Sequence, residues 1–112
     1  MDKQIKLSYL TATKNKLLYF KRGIEKVIAQ KKPDEEILVA DGGSTDGTKE
    51  YLTELKAQGK IDFFISENDF GESHALNKLF LVAKGTLIKI INDDDAYYFP
   101  AIEACKKFML EH

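Results

Sequence analysis

No apolar run in this 112-residue chain approaches the ~20 residues that a membrane-spanning helix requires. The opening Met1-Asp2-Lys3-Gln4 likewise lacks the cationic-then-apolar pattern of a secretory leader. A cytoplasmic protein without a transmembrane segment is expected. Cysteine is almost missing: the single Cys105 agrees with a reducing compartment, and its place on the apolar face of a predicted helix reads as core filling, not thiol chemistry. No low-complexity linker or internal repeat divides the chain. One domain over residues 1–109 is predicted, with Leu110-Glu111-His112 reading as the remnant of a histidine tag. Two well-known nucleotide loops are missing as well. Gly42-Gly43 has no third glycine to complete a Gly-x-Gly-x-x-Gly turn, and no Gly-Lys-Ser/Thr of a P-loop follows, which disfavours a dinucleotide cofactor and an ATPase motor.

What is present is an ordinary globular composition, 44% hydrophobic and 31% charged, enough for one core yet short for an enzyme with two substrates. Net charge is −1 but unevenly spread, since residues 1–32 hold nine Lys and Arg against Asp2 and Glu25. These cations scatter over one predicted helix and its flanks. They read as a solvated face, and no nucleic-acid partner is expected.

Four β-type runs, over 5–10, 36–40, 61–66 and 86–91, alternate with helical patterns over 14–29, 47–58, 73–84 and from about Pro100 onward. The runs Ile37-Leu38-Val39 and Leu87-Ile88-Lys89-Ile90-Ile91 are nearly continuous in apolar character, as suits strands covered on both faces. The first helix is expected to turn Leu17, Ile24 and Ile28 inward with Leu18, Lys21 and Val27. The second should bury Tyr51, Leu52 and Leu55, capped by Asp46 or Thr45 and stopped by Gly59; the third should be capped by Ser73. Strands joined by helical crossovers make an α/β fold, a Rossmann-like, largely parallel sheet of about four strands with flanking helices. In such sheets ligands bind beyond the carboxyl ends of the strands. Thr11-Ala12-Thr13, the segment from Asp41 to Thr48, residues 66–71 and residues 92–95 all fall there.

Two of these segments carry chemistry. Asn92-Asp93-Asp94-Asp95 delivers three carboxylates to one strand end, where their mutual repulsion calls for a divalent cation. Hard oxygen donors suit Mg²⁺ or Mn²⁺, with phosphate oxygens as further ligands; a solvated acidic turn is the plainer alternative. Gly42-Gly43 allows positive φ and close backbone approach, and Ser44, Thr45 and Asp46 can cap the next helix, whose amino end favours an anion. Read alone, that segment serves folding as well as function.

Taken in order, Asp41-Gly42-Gly43-Ser44-Thr45-Asp46-Gly47-Thr48, Asp69-x-Gly71 with Ala75-x-Asn77-Lys78, Ala83-x-Gly85-Thr86 and Asn92-Asp93-Asp94-Asp95 resemble the inverting family 2 glycosyltransferases of the GT-A fold. The resemblance spans roughly residues 5–103 and implies the amino-terminal, nucleotide-sugar-binding half of that fold. It implies Thr11, Thr13 and Asp41 at the nucleobase, with Gly43, Ser44, Asn77, Lys78, Asp93 and Asp94 also in the nucleotide site, and Asp93 and Asp95 on the metal. Asp41 is thereby expected to recognise the base, with little effect on stability. The chain departs from the family pattern at Asn92, where many members place the first Asp, so pairing Asn92 with Asp94 stays open beside the literal Asp93-x-Asp95. It departs again at Leu79, often glycine in the family. The implied reaction moves a sugar from a nucleoside diphosphate donor, UDP by family habit, to a saccharide or lipid-linked acceptor with inversion. Its carboxylate base is expected outside this chain, which alone would be inactive. A longer parent would lie at the periphery of the inner membrane.

A different class remains in view: a non-catalytic nucleotide- and metal-binding module, or a receiver-like signalling domain. A receiver wants acids after its first strand and a lone Asp after its third. Here Thr11-Ala12-Thr13 follows the first strand and the acidic cluster follows the fourth, which disfavours it.

Overall fold

The computed structural model describes residues 4–68, 71–91 and 109–110. Its elements are β1 (Leu7–Thr13), α1 (Leu17–Gln30), β2 (Glu35–Asp41), α2 (Thr48–Ala57), β3 (Phe63–Ser66), α3 (Glu72–Phe80) and β4 (Leu87–Ile91). The four strands form one parallel sheet in the order β3-β2-β1-β4. The α/β class expected from the alternating pattern is what the chain adopts.

Successive strand residues feed opposite faces. On one face Leu7, Tyr9, Ile37, Val39 and Ile91 meet Phe20, Ile24 and Val27 of α1 and Leu52 and Leu55 of α2. On the other, Leu10, Leu38 and Ala40 meet Ala75 and Leu79 of α3. β2 lies between two strands and two helical layers and is buried along its whole length. The chain steps from β1 to β2 to β3 in one direction and then returns to the far side of β1 for β4. In open α/β sheets such a reversal is where ligands bind, which here means the carboxyl ends of β1 and β4, where Ile91 lies level with Thr11.

The structure corrects several local expectations. β1 continues to Thr13 because Thr11, Ala12 and Thr13 pair with Val39, Ala40 and Asp41, and branched threonine suits a strand. α1 starts at Leu17, after Asn15 has taken a positive φ of 51°. Its buried stripe is Phe20, Ile24 and Val27, while Leu18 is 75% exposed. Phe20 fixes this phase: its ring meets Tyr51 of α2 edge to face, centroids 6.2 Å apart. Gly59 ends α2 as expected, its N–H donating to the Lys56 carbonyl while the Lys60 N–H donates to that of Leu55. At α3 it is Gly71, not Ser73, that occupies the capping position, and the helix stops at Phe80. The expected helix from Pro100, and Cys105 within it, lie outside the described residues.

The early stop of α3 brings residues 84 and 85 against the sheet. Lys84 N–H and Ser8 Oγ both donate to the buried Glu36 Oε2, at 2.8 and 2.6 Å, and Gly85 N–H donates to Ser8 Oγ at 2.8 Å. A Cβ on Gly85 would fall 2.6 Å from the Ser8 nitrogen and 2.9 Å from the Leu7 carbonyl carbon, both backbone atoms. Gly85→Ala is therefore expected to destabilise the domain by about 1–3 kcal/mol through overpacking. Urea unfolding measures it as a lower midpoint at unchanged slope; an unmoved midpoint would mean that the approach is not tight.

Candidate functional site

Thr13, Asp41 and Ser66 end β1, β2 and β3 and lie side by side, since Thr13 is in register with Asp41 and Asp41 with Ser66. Parallel strands of matched register set three polar side chains in a row at one sheet edge. Asp41 is 1% exposed, and its carboxylate is held from two directions. Ser66 Oγ donates to Oδ2 at 2.7 Å, while Ser44 N–H donates to the same oxygen at 3.2 Å and Ser44 Oγ to Oδ1. The backbone is tied down too: Gly42 N–H donates to the Thr13 carbonyl and Glu67 N–H to that of Asp41.

The loops after β1 and β2 are laced together above this row. Asn15 N–H donates to Ser44 Oγ at 2.7 Å, and Thr45 N–H to Asn15 Oδ1 at 2.8 Å. Asp46 serves the amino ends of two helices: Oδ2 accepts from Leu17 N–H at 3.0 Å, and Oδ1 accepts from the Thr48 hydroxyl at 2.6 Å and its N–H at 3.3 Å. Gly47, not Asp46 or Thr45, occupies the capping position of α2, and Asp46 one residue earlier accepts from an orphan donor of each helix. Gly43 sits at the turn with φ 88°, where a Cβ would collide with the Asn68 amide.

These contacts hold the Asp46 carboxyl below its ordinary value of 3.8, chiefly through the Thr48 hydroxyl and then the Leu17 N–H. A carboxylate whose folded pKa is depressed stabilises the fold above its unfolded value and loses that contribution as pH falls through the folded one. Asp46→Asn should therefore lower the Tm at neutral pH and flatten its fall below about pH 4. Parallel Tm–pH curves for the variant and the parent would remove Asp46 as the linked group.

Thr13 adds a different observation. The residue is 4% exposed and its Oγ1, buried at the strand end, has no hydrogen-bond partner among the described residues. Buried hydroxyls are rarely left so.

Of the residues singled out in the sequence, Thr13, Asp41, Gly43 and Ser44 gather at this edge, and Thr11 lies one strand repeat below, buried and level with Val39 and Ile91. Asn77 is exposed on α3, on the opposite layer. Lys78 sits near the strand ends, but its Nζ pairs with Glu67 Oε1 at 2.8 Å. Asp93, Asp94 and Asp95 lie outside the described residues, and among the described residues no group of three potential ligands forms a metal site. Sequence reasoning placed Ser66 at the strand ends without giving it a role, and it missed Asn15. Ser66 was legible as the last strand residue level with Asp41, whereas nothing local marks Asn15 as the link between two loops.

The family model for "Glycosyl transferase family 2" matches residues 8–112. The chain is 33% identical over 95 residues to the uncharacterized glycosyltransferase alr2836 of Nostoc sp., covering 83% of this chain and 29% of that protein. It is 28% identical over 106 residues to the putative teichuronic acid biosynthesis glycosyltransferase TuaG of Bacillus subtilis, covering 94% and 42%. Among solved structures, S. aureus TarS 1–349 in complex with UDP-GlcNAc superposes with a TM-score of 0.80 at 22% identity, covering 96% of this chain and 32% of that one. The mannosyltransferase PcManGT from Pyrobaculum calidifontis, in complex with GDP-Man and Mn²⁺, superposes with a TM-score of 0.74 at 23% identity, covering 90% and 30%. The chain thus spans less than half the length of these relatives.

Proposed function

The chain belongs to glycosyl transferase family 2, and on that premise we propose that it is the donor-binding part of an inverting glycosyltransferase with the GT-A fold. Its donor is a nucleoside diphosphate sugar, UDP-linked, and its acceptor a saccharide or a lipid-linked saccharide in polysaccharide assembly. The observation that carries this reading is the buried Thr13 Oγ1 beside Asp41 at the carboxyl ends of the strands, without a partner among the described residues. The solved neighbours, in complex with UDP-GlcNAc and with GDP-Man, support a nucleotide-sugar donor.

In this reading Thr11, Thr13 and Asp41 hold the nucleobase, and the Gly43-Ser44 turn brings backbone close to the nucleotide. Asn77 and Lys78 flank the donor, Lys78 reaching a phosphate only by leaving Glu67. Asp93 and Asp94 meet the ribose and diphosphate. The residues fit a divalent ion: three hard carboxylates follow β4, whose last residue lies beside the end of β1. Asp93 and Asp95 would hold Mg²⁺ or Mn²⁺. When bound, such an ion stabilises the negative charge developing on the departing diphosphate. Asp41, fixed by Ser44 and Ser66, presents its acceptor atoms in one orientation without reorganising, which lowers the ordering cost of binding. Deprotonating the acceptor falls to a carboxylate from the longer protein. No described helix is long and apolar enough to cross a membrane; the protein works in the cytoplasm, at the periphery of the membrane in its full-length form.

Thr13→Val provides the test, because it removes only the orphan hydroxyl. The fold should be unchanged or slightly more stable, since an unsatisfied buried group is lost, while affinity for UDP-GlcNAc in Mn²⁺ should fall about 2–10-fold, one hydrogen bond's worth. Isothermal titration of parent and variant, with GDP-mannose as comparison, decides it. Equal affinity of the two proteins, or no nucleotide binding by the parent, would overturn the assignment.

A further inference from the structure

The outward face of α1 is not that of an ordinary solvated helix. Opposite its buried stripe of Phe20, Ile24 and Val27, the 100° helical step places Leu18, Arg22 and Lys26 on one line, with Tyr19 adjoining. Leu18 and Tyr19 are 75% and 62% exposed, and both stand in the first turn. Lys14 just before the helix, Arg22 and Lys26 are exposed around them, with Glu25 as the one acid of the helix. Lys21 is turned away, its Nζ lying 4.8 Å over the Tyr51 ring.

We propose that this face docks on an anionic bilayer, with Leu18 and Tyr19 entering the headgroup–acyl boundary and Lys14, Arg22 and Lys26 meeting lipid phosphates. Charge complementarity selects this occupant. A second copy of the chain docking face to face would set Arg22, Lys26 and Lys14 against their own counterparts, whereas an anionic membrane answers both the cations and the apolar pair. A nucleic acid would answer the cations and leave Leu18 without a partner. Because α1 starts at the carboxyl edge of the sheet, docking by its first turn brings the edge carrying Thr13 and Asp41 towards the membrane. The inference gives the peripheral location proposed above a surface, and it does not depend on sugar transfer.

Flotation with vesicles of phosphatidylcholine alone, and of phosphatidylcholine mixed with phosphatidylglycerol, tests it directly. The protein should float with the mixed vesicles only, less so as salt is raised. Arg22→Gln with Lys26→Gln should weaken partitioning by roughly 25-fold, about 5-fold for each cation. Leu18→Ser with Tyr19→Ser should weaken it comparably; all four side chains are exposed, so both double variants should keep the parent's Tm and its affinity for UDP-GlcNAc. Flotation with neutral vesicles to the same extent, no flotation, or unchanged partitioning of both variants would overturn the proposal. So would tighter binding to a duplex oligonucleotide that is indifferent to loss of Leu18 and Tyr19. A parent protein that binds UDP-GlcNAc but does not float removes the docking surface alone, and a parent that floats but binds no nucleotide removes the donor site alone.

Discussion

Asp41→Asn is expected to lower stability and nucleotide affinity together. Both carboxylate oxygens accept hydrogen bonds, one from Ser66 Oγ and Ser44 N–H and the other from Ser44 Oγ. An amide offers one accepting oxygen and turns a donor towards the other partners, so at least one of these bonds is lost in a 1% exposed site. The cost is about 1–3 kcal/mol, which for a domain of this size is a Tm loss of roughly 4–8 °C for each kcal/mol. Affinity should fall by a similar free energy, since the variant loses a charged acceptor and loosens the turn that presents Gly43 and Ser44. Ser66→Ala is the control: it removes one donor to Asp41 and should reproduce part of the stability loss. The sequence alone led to Asp41 as a base-recognition residue with little influence on stability. Calorimetry of Asp41→Asn showing weakened binding at an unchanged Tm would restore that simpler view.

The fold was legible because its signals are local. Apolar runs such as Ile37-Leu38-Val39 mark strands, Gly59 marks a helix end through its positive φ, and alternation of strand and helix dictates a parallel sheet with its polar edge at the carboxyl ends. That is also why Thr13, Asp41, Gly43 and Ser44 could be placed together from sequence. What was not legible depends on contacts between distant segments. The phase of α1 follows from Phe20 meeting Tyr51, not from the Leu17-Leu18 pair that periodicity favoured. Asp46 caps α1 across 29 residues of sequence, and Ser44 is held by Asn15 across the same gap. Lys78, expected in the nucleotide site, pairs with Glu67 eleven positions earlier, a contact that its own sequence neighbourhood does not announce.

Nucleotide-sugar binding should collapse when divalent metal is removed. Three adjacent carboxylates at residues 93–95 and a diphosphate carry charge of one sign, and bringing them together without a counter-ion is opposed at every separation that a shared site allows. A divalent ion held by these carboxylates would turn that repulsion into attraction. The expected effect is on the order of 100-fold in Kd for UDP-GlcNAc between Mn²⁺ and EDTA, or about 2.7 kcal/mol. Asp95→Ala should cost nearly as much in Mn²⁺ and add little to the loss in EDTA, because the two changes remove the same interaction. Asp93→Ala and Asp94→Ala separate the open registers: loss of the metal response in Asp93→Ala selects Asp93-x-Asp95, and its loss in Asp94→Ala selects the pairing of Asn92 with Asp94. Relieving like-charge crowding should leave the metal-free fold of Asp95→Ala at least as stable as the parent, so weak binding cannot be put down to unfolding. Equal affinity in EDTA and Mn²⁺, with Asp95→Ala binding as the parent does, would return residues 93–95 to the role of a solvated acidic turn.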